Sequence, residues 1–170
     1  YSIFFVKNLS FLINNKIIAP ANVANNGNSI QVTGDNSKII GNSIEVTHQP
    51  RDEASGILIY GASNVQVEDN KIYENTHGTT NFDVGIGIGG NNYGMPIAKN
   101  IVIKNNEISN LPTGIKTDSG CEAITIEENL FENNIIELKD NSELLDLDSI
   151  LNSNSNDFPA NTRVYQNTIV

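Results

Sequence analysis

The stretch Asn100-Ile101-Val102-Ile103-Lys104-Asn105-Asn106-Glu107-Ile108 decides the fold, because its frame occurs six times along the chain. After one leading residue the frame reads apolar, any, apolar, any, any, Asn, any, apolar. In every copy the residue three places before the asparagine and the residue two places after it are apolar. Successive asparagines are 27, 28, 36, 23 and 38 residues apart. They are Asn15, Asn42, Asn70, Asn106, Asn129 and Asn167.

This frame has a direct structural meaning. Apolar residues in alternation predict a short strand with one buried face. The asparagine predicts a bend, because its side chain bonds readily to nearby backbone. A short strand and a bend every ~20–40 residues are typical of a solenoid. Equivalent residues of such coils stack ~4.8 Å apart, so we expect the six asparagines to form a ladder of side-chain amides.

A second kind of strand lies between the frames. Its copies are residues 30–32, 56–61, 85–89, 114–118 and 135–139. Three of them begin with a glycine, which predicts a backbone bend at the corner where the strand starts. We therefore expect at least two stacked strands in each coil, together with a third short one.

The frame resembles the right-handed parallel β-helix repeat of the pectin-lyase-like superfamily, and the resemblance covers essentially the whole chain. It implies an all-β fold, a right-handed parallel β-helix (solenoid) of about six coils with an asparagine ladder. It does not select an activity, because the superfamily is implied to hold lyases, hydrolases, epimerases, phage tailspikes and adhesins.

The chain of 170 residues is one domain by length, residues 1–170. Two excursions, residues 74–84 and 90–98, lengthen one coil, and residues 140–160 form an acidic excursion rich in serine and asparagine. Both ends of the sequence fall within apolar strand patterns, whereas solenoids need polar caps. We therefore expect the domain to be a fragment of a longer chain, its ends covered by further coils or a partner chain.

The formal net charge of −10 limits the choice of partner. It argues against nucleic acid, because phosphate binding needs a basic face. It also argues against polyanionic sugars, unless a local Lys/Arg cluster or bound Ca²⁺ assists. No membrane span is expected, because the apolar run at residues 3–6 is too short. The single cysteine, Cys121, is interpreted as a small structural residue.

The outward residues of the second kind of strand form the candidate ligand surface. Alternation predicts one outward column of Leu58, Gly87, Lys116 and Glu137, and another of Tyr60, Gly89, Asp118 and Lys139. The glycines would leave a shallow trough beside Tyr60, where a sugar ring could stack and meet polar partners. The alternative is that Lys116 pairs with Glu137, and Asp118 with Lys139, as exposed ion pairs worth ~0–1 kcal/mol.

A lyase or epimerase needs a base at the sugar C5 and a group that neutralises the carboxylate. The candidates for catalysis are Lys116, Asp118 and Arg51. The candidates for substrate binding are Tyr60, Glu137, Lys139 and His77. No motif of a metal site is present, and Ca²⁺ is the one cofactor that such chemistry would use.

These patterns predict a β-helix domain that recognises a polysaccharide, in an extracellular or cell-surface protein, with lyase or epimerase chemistry as its enzymatic form. The rival hypothesis is a non-catalytic structural rod, such as the shaft of an adhesin or tailspike or a surface repeat protein.

Overall fold

The computed structural model describes residues 4–18, 28–46, 55–74, 83–90, 95–118, 120–134, 136–140, 143–145 and 163–170. Its strands are numbered in chain order and form three sheets. Sheet A contains β1 (Phe4–Val6), β4 (Ile30–Val32), β7 (Ser55–Tyr60), β10 (Val84–Gly89), β13 (Thr113–Thr117), β16 (Ile136–Asp140) and β17 (Glu143–Leu145). Sheet B contains β2 (Phe11–Ile13), β5 (Lys38–Ile40), β8 (Ser63–Glu68), β11 (Lys99–Lys104), β14 (Glu122–Glu127) and β18 (Arg163–Tyr165). Sheet C contains β3 (Lys16–Ile18), β6 (Ser43–Val46), β9 (Lys71–Glu74), β12 (Glu107–Ser109), β15 (Leu130–Glu132) and β19 (Thr168–Ile169).

Each coil passes through sheets A, B and C in turn, and equivalent strands of neighbouring coils pair in parallel. The predicted third strand is therefore confirmed as sheet C. The predicted register of the frame is confirmed too, because Ile103 pairs with Val67 and Ile126, and Ile108 pairs with Ile72 and Phe131. The result is a three-sided parallel β-helix.

A long, thin apolar core fills the inside of the coils. Alternate side chains of each sheet point inward, and isoleucine dominates because a β-branched side chain packs well on a pleated surface. Its largest fully buried members include Ile57, Ile86, Ile103, Ile108 and Phe131. Because these residues come from every sheet, stacking of neighbouring coils is what buries them.

The asparagine ladder runs along the bend between sheets B and C. Asn42, Asn70, Asn106 and Asn129 are each 1% exposed. In a typical rung, Asn106 Nδ2 donates to Asn129 Oδ1 at 3.0 Å and to the carbonyl of Val67, in the preceding coil, at 2.9 Å. The backbone N–H of Asn106 also donates to Asn129 Oδ1, at 2.9 Å. The predicted ladder is confirmed, and it ties each coil to both of its neighbours.

The residue before each ladder asparagine has a left-handed backbone, with φ between 53° and 68°. These residues are Asn14, Gly41, Asp69, Asn105, Glu128 and Gln166. A second left-handed column, at the corner between sheets A and B, contains Leu9, Asn36, Asn64, Asn100 and Ala123. There the exposed amides form a short outer ladder, because Asn64 Nδ2 donates to Asn36 Oδ1 and Asn100 Nδ2 donates to Asn64 Oδ1, each at 3.1 Å.

The glycines at the start of sheet A strands serve close packing rather than the predicted bend. Neither Gly56 nor Gly85 has a left-handed φ. A Cβ on Gly85 would lie 2.5 Å from the carbonyl oxygen of Gly114 and 2.8 Å from Ile108 Cγ2. The corner between sheets C and A therefore has no room for a side chain at Gly85.

The register of β16 differs from the prediction by two residues. Lys116 is in register with Lys139 rather than with Glu137, and Ile115 is in register with Leu138 rather than with Ile136. A shift of two keeps the inward and outward alternation, so the hydrophobic pattern does not distinguish the two registers. Residues 143–145 of the acidic excursion form β17, which pairs antiparallel with β16. Residues 141–142 and 146–160 lie outside the described residues.

Candidate functional site

Tyr60, Gly89 and Asp118 meet on the outer surface of sheet A, and we call this group the Tyr60–Asp118 face. Gly89 of β10 is in register with Tyr60, the last residue of β7. Asp118 follows β13, and its N–H donates to the Ile88 carbonyl at 2.8 Å. The three residues therefore come from three successive coils, as the sequence predicts.

The Asp118 carboxylate lies directly over Gly89. A Cβ added at Gly89 would overlap Asp118 Oδ2 and would lie 3.2 Å from Asp118 Cγ and 3.6 Å from Tyr60 Cδ2. Gly89 itself is buried, whereas Tyr60 and Asp118 are half-buried. The aromatic ring and the carboxylate are thus neighbours, and the carboxylate occupies the space that a side chain at position 89 would need.

The predicted trough is absent at Gly87. A Cβ added at Gly87 would lie 3.2 Å from Leu58 Cδ1 and 3.3 Å from Ser55 Oγ, so neighbouring side chains cover this position. The glycines make room for side chains from adjacent coils. Gly87 is therefore not part of the Tyr60–Asp118 face.

Lys116 is half-buried in β13, two residues before Asp118, and is in register with Gly87. The predicted side-by-side placement of Lys116 with Glu137 is wrong, because the register places Lys139 beside Lys116. Only the backbone of Glu137 and Lys139 belongs to the described structure. Arg51 and His77 lie outside the described residues.

Sheets B and C carry ion pairs between neighbouring coils. On sheet B, Lys104 Nζ lies 3.1 Å from Glu127 Oε1 and 3.2 Å from Glu128 Oε2. The hydrogen bonds to these two carboxylates raise the pKa of Lys104. The sequence predicts this face, because Lys104 and Glu127 carry opposite charges at equivalent positions of adjacent coils.

Two further ion pairs were not predicted from the sequence. Lys99 Nζ lies 3.0 Å from Glu122 Oε2, and Lys71 pairs with Glu107 on sheet C. The hydrogen bond to Glu107 raises the pKa of Lys71. The sequence contains the signal for both pairs, because each joins opposite charges at equivalent positions of adjacent coils.

Two absences concern the described residues. No three of their His, Cys, Asp or Glu side chains lie close enough together to hold a metal ion. Nor do they contain a helix long and apolar enough to span a bilayer.

Three parallel sheets and an internal amide ladder define the class of protein: a parallel β-helix. The chain matches the family described as right-handed β-helix region over residues 1–169. It therefore belongs to that family, and its solenoid is a right-handed one. No curated protein and no solved structure matches the chain.

Proposed function

We propose that this β-helix recognises a polysaccharide through the Tyr60–Asp118 face, as part of an extracellular or cell-surface protein. The observation that carries the proposal is the aromatic ring of Tyr60 beside the Asp118 carboxylate, since atoms of both lie within 4 Å of the position that a Cβ at Gly89 would take. Sugar sites combine an apolar or aromatic surface with a few polar groups that fix orientation.

Each part of this face has a separate role. The face of a sugar ring is apolar and packs on Tyr60. The ring hydroxyls are donors, and a carboxylate accepts strong, charge-assisted hydrogen bonds. The absence of a side chain at Gly89 gives the Asp118 carboxylate room to lie beside Tyr60.

The enzymatic form of the proposal is a polysaccharide lyase or uronate epimerase. In a lyase, a base such as Lys116 or Arg51 removes the C5 proton. The electron pair then forms the C4–C5 double bond, and the C4–O bond breaks and leaves its oxygen to take up a proton. Asp118 and Glu137 would position the substrate.

The structural rod is the alternative function. Two features of sheets B and C favour it: the buried amide ladder and the ion pairs that join Lys104 and Lys71 to neighbouring coils. Such features stiffen a shaft and need no ligand.

A binding and digestion screen separates these functions. The chain is titrated calorimetrically with neutral and acidic polysaccharides, with and without Ca²⁺, and digestion is followed by the absorbance of unsaturated products and by reducing ends. We expect binding, and we expect Tyr60→Ala to weaken it at least about tenfold, the effect of removing an aromatic anchor.

Tyr73→Ala is the matched control, because Tyr73 is also a half-buried tyrosine of the same coil but lies on sheet C. Its binding should equal that of the wild type. Digestion that is lost in the Lys116→Ala/Asp118→Ala double variant would identify the enzyme. A folded chain that binds no polysaccharide would leave the rod as the function.

A further inference from the structure

We infer that the outer surface of the first coil is a docking surface for the acidic excursion of a second copy of this chain. The surface, called the first-coil patch, combines apolar side chains with lysines: Leu9, Phe11, Ile13, Ile18 and Ile40, with Lys7, Lys16 and Lys38. The occupant is residues 146–160, which lie outside the described residues and are known here by their sequence. The patch belongs to sheets B and C, apart from the Tyr60–Asp118 face on sheet A.

The apolar side chains of the patch point away from the core. Phe11 and Ile13 flank Leu12, which packs against the core, and Ile13 is in register with half-buried Ile40 of the next coil. Of the five exposed large hydrophobic side chains among the described residues, four lie in the first coil: Leu9 (70% exposed), Phe11 (60%), Ile18 (52%) and Ile13 (46%). Contiguous apolar residues on a surface mark an interaction site, whereas scattered ones need no explanation.

The fold itself does not require apolar residues at these outward positions. In later coils of sheet B the same two columns hold mainly polar side chains, among them Lys38, Gln66, Thr125, Glu68, Lys104 and Glu127. Those coils keep their strands and their buried faces. Packing of the solenoid therefore does not account for Phe11 and Ile13.

Lysines accompany these apolar residues, although the chain as a whole is acidic. Lys38 is in register with Phe11, and Lys16 begins β3, directly after the bend that follows Ile13. Residues 1–34 include Lys7 and Lys16 and no Asp or Glu, in a chain with a net charge of −10.

The carboxylates closest to the patch belong to later coils. Glu45 is in register with Ile18, and Glu68 is in register with Ile40. Asp35 Oδ1 accepts from the N–H of Ser63 at 2.7 Å, on the side away from the first coil. The first coil is thus locally cationic and apolar, and a complementary partner is acidic and apolar.

Residues 146–160 have that composition. Their charged residues are Asp146, Asp148 and Asp157, with no Lys, Arg or His among them. Their large apolar residues are Leu147, Ile150, Leu151 and Phe158. A symmetrical contact between two patches would instead place lysines against lysines, which like-charge repulsion disfavours.

The reach of the excursion assigns the contact to two copies. It leaves β17 and returns to β18, and β18 is five strand spacings from β2 in sheet B, about 24 Å. A return journey within one copy takes about 48 Å, whereas residues 146–162 span at most about 56–61 Å when extended. Too few residues would remain to cover the patch. Between copies the contact joins unlike surfaces, so the assembly is head-to-tail.

Sedimentation velocity of the full chain over a concentration series, at low and high salt, measures this self-association. The patch variant is Phe11→Ser/Ile13→Ser. Its matched control is Val102→Ser, because Val102 occupies the outward position of Phe11 three coils away. Melting curves establish that each variant folds.

Two charge reversals test the pairing of patch and excursion. They are Lys16→Glu/Lys38→Glu on the patch and Asp146→Lys/Asp148→Lys on the excursion. Each reversed protein alone has like charges on both surfaces. In an equimolar mixture, each surface meets an opposite charge on the other protein.

We expect the wild type to self-associate, and to do so more weakly at high salt because charges contribute to the contact. The patch variant and each charge reversal alone should weaken association at least about tenfold. Val102→Ser should associate as the wild type does, and the mixture of the two reversed proteins should associate again.

Four results would overturn the inference. The first is a chain that stays monomeric at every concentration. The second is association that persists in the folded patch variant. The third is association that the excursion reversal leaves unchanged, which would assign the patch to another part of the second copy. The fourth is a monomeric chain that binds anionic phospholipid vesicles through the patch, which would assign it to a membrane surface.

Discussion

At the scale of single residues, the ladder asparagines make hydrogen bonds that a hydrophobic side chain cannot make. Asn106 both accepts and donates along the helix axis, and it also satisfies the Val67 carbonyl of the preceding coil. A hydrophobic side chain of similar size would fill the same space but would leave these buried groups without partners. Leaving a buried donor or acceptor unsatisfied costs about 1–3 kcal/mol.

Asn106→Leu should therefore lower the free energy of unfolding by about 3 kcal/mol, measured from the urea midpoint. The control is Asn100→Gly in the exposed outer ladder. Glycine tolerates the left-handed φ of 55° at this position, so we expect a change within about 0.5 kcal/mol. Equal losses in the two variants would contradict the special role of the buried ladder.

The sequence predicts the ladder because its six asparagines share one frame. It does not reveal where the Asp118 carboxylate lies. Gly89 and Asp118 stand at equivalent positions of two coils, which is consistent with an open trough or with a carboxylate folded over bare backbone. Side-chain torsions decide between them, and spacing along the chain carries no information about those torsions.

At the scale of elements, β10 shows how tightly neighbouring coils approach one another. Its inward isoleucines belong to the core, and its glycines are all buried. The cause differs between positions: backbone and core atoms surround Gly85, whereas side chains from adjacent coils cover Gly87 and Gly89.

Gly85→Ala should destabilise the protein by about 1–3 kcal/mol, because the added methyl would meet a backbone oxygen at 2.5 Å and cannot be relieved by a side-chain movement. Gly87→Ala, with its nearest contact at 3.2 Å, should change stability by less than about 0.5 kcal/mol. Urea midpoints measure both. A stable Gly85→Ala protein would show that the corner between sheets C and A has room to adjust.

The same scale shows a limit of pattern analysis. The order of strands and the inward faces of sheets B and C follow from the frame, but β16 carries no frame asparagine. The alternation of Ile136 and Leu138 along the sequence is compatible with either of two registers, and the pairing of Thr113 with Ile136 is the one observed. The residue in register with Lys116 is therefore Lys139 rather than the predicted Glu137.

At the scale of the whole molecule, ion pairs on sheets B and C connect successive coils. Lys71 joins the third coil to the fourth, and Lys104 joins the fourth to the fifth. Their carboxylate partners raise the pKa of both lysines above the ordinary value of 10.5. Because the folded pKa exceeds the unfolded one, the stabilisation is complete below pH 10.5 and is lost as the pH rises through the folded pKa.

As the pH rises above 10.5 the protein should therefore lose stability, and a Lys71→Gln/Lys104→Gln variant should lose less. Urea midpoints across this range measure the difference. Only the difference between the two proteins reports on the pairs. Parallel pH profiles would show that the pairs contribute nothing.

The fixed length of the frame has a consequence for how such a chain can change. Every described copy uses the same nine residues to pass from the left-handed corner, through sheet B and the amide bend, into sheet C, whereas the spacing between ladder asparagines varies from 23 to 38 residues. All of the variation is confined to the remaining arc of each turn. We expect that whole coils can be inserted or removed, and that loops can be added beside sheet A, without changing the asparagine ladder. The frame thus has a constant length, and the rest of each coil can vary. This makes the fold suitable as a scaffold for displaying binding loops at regular intervals.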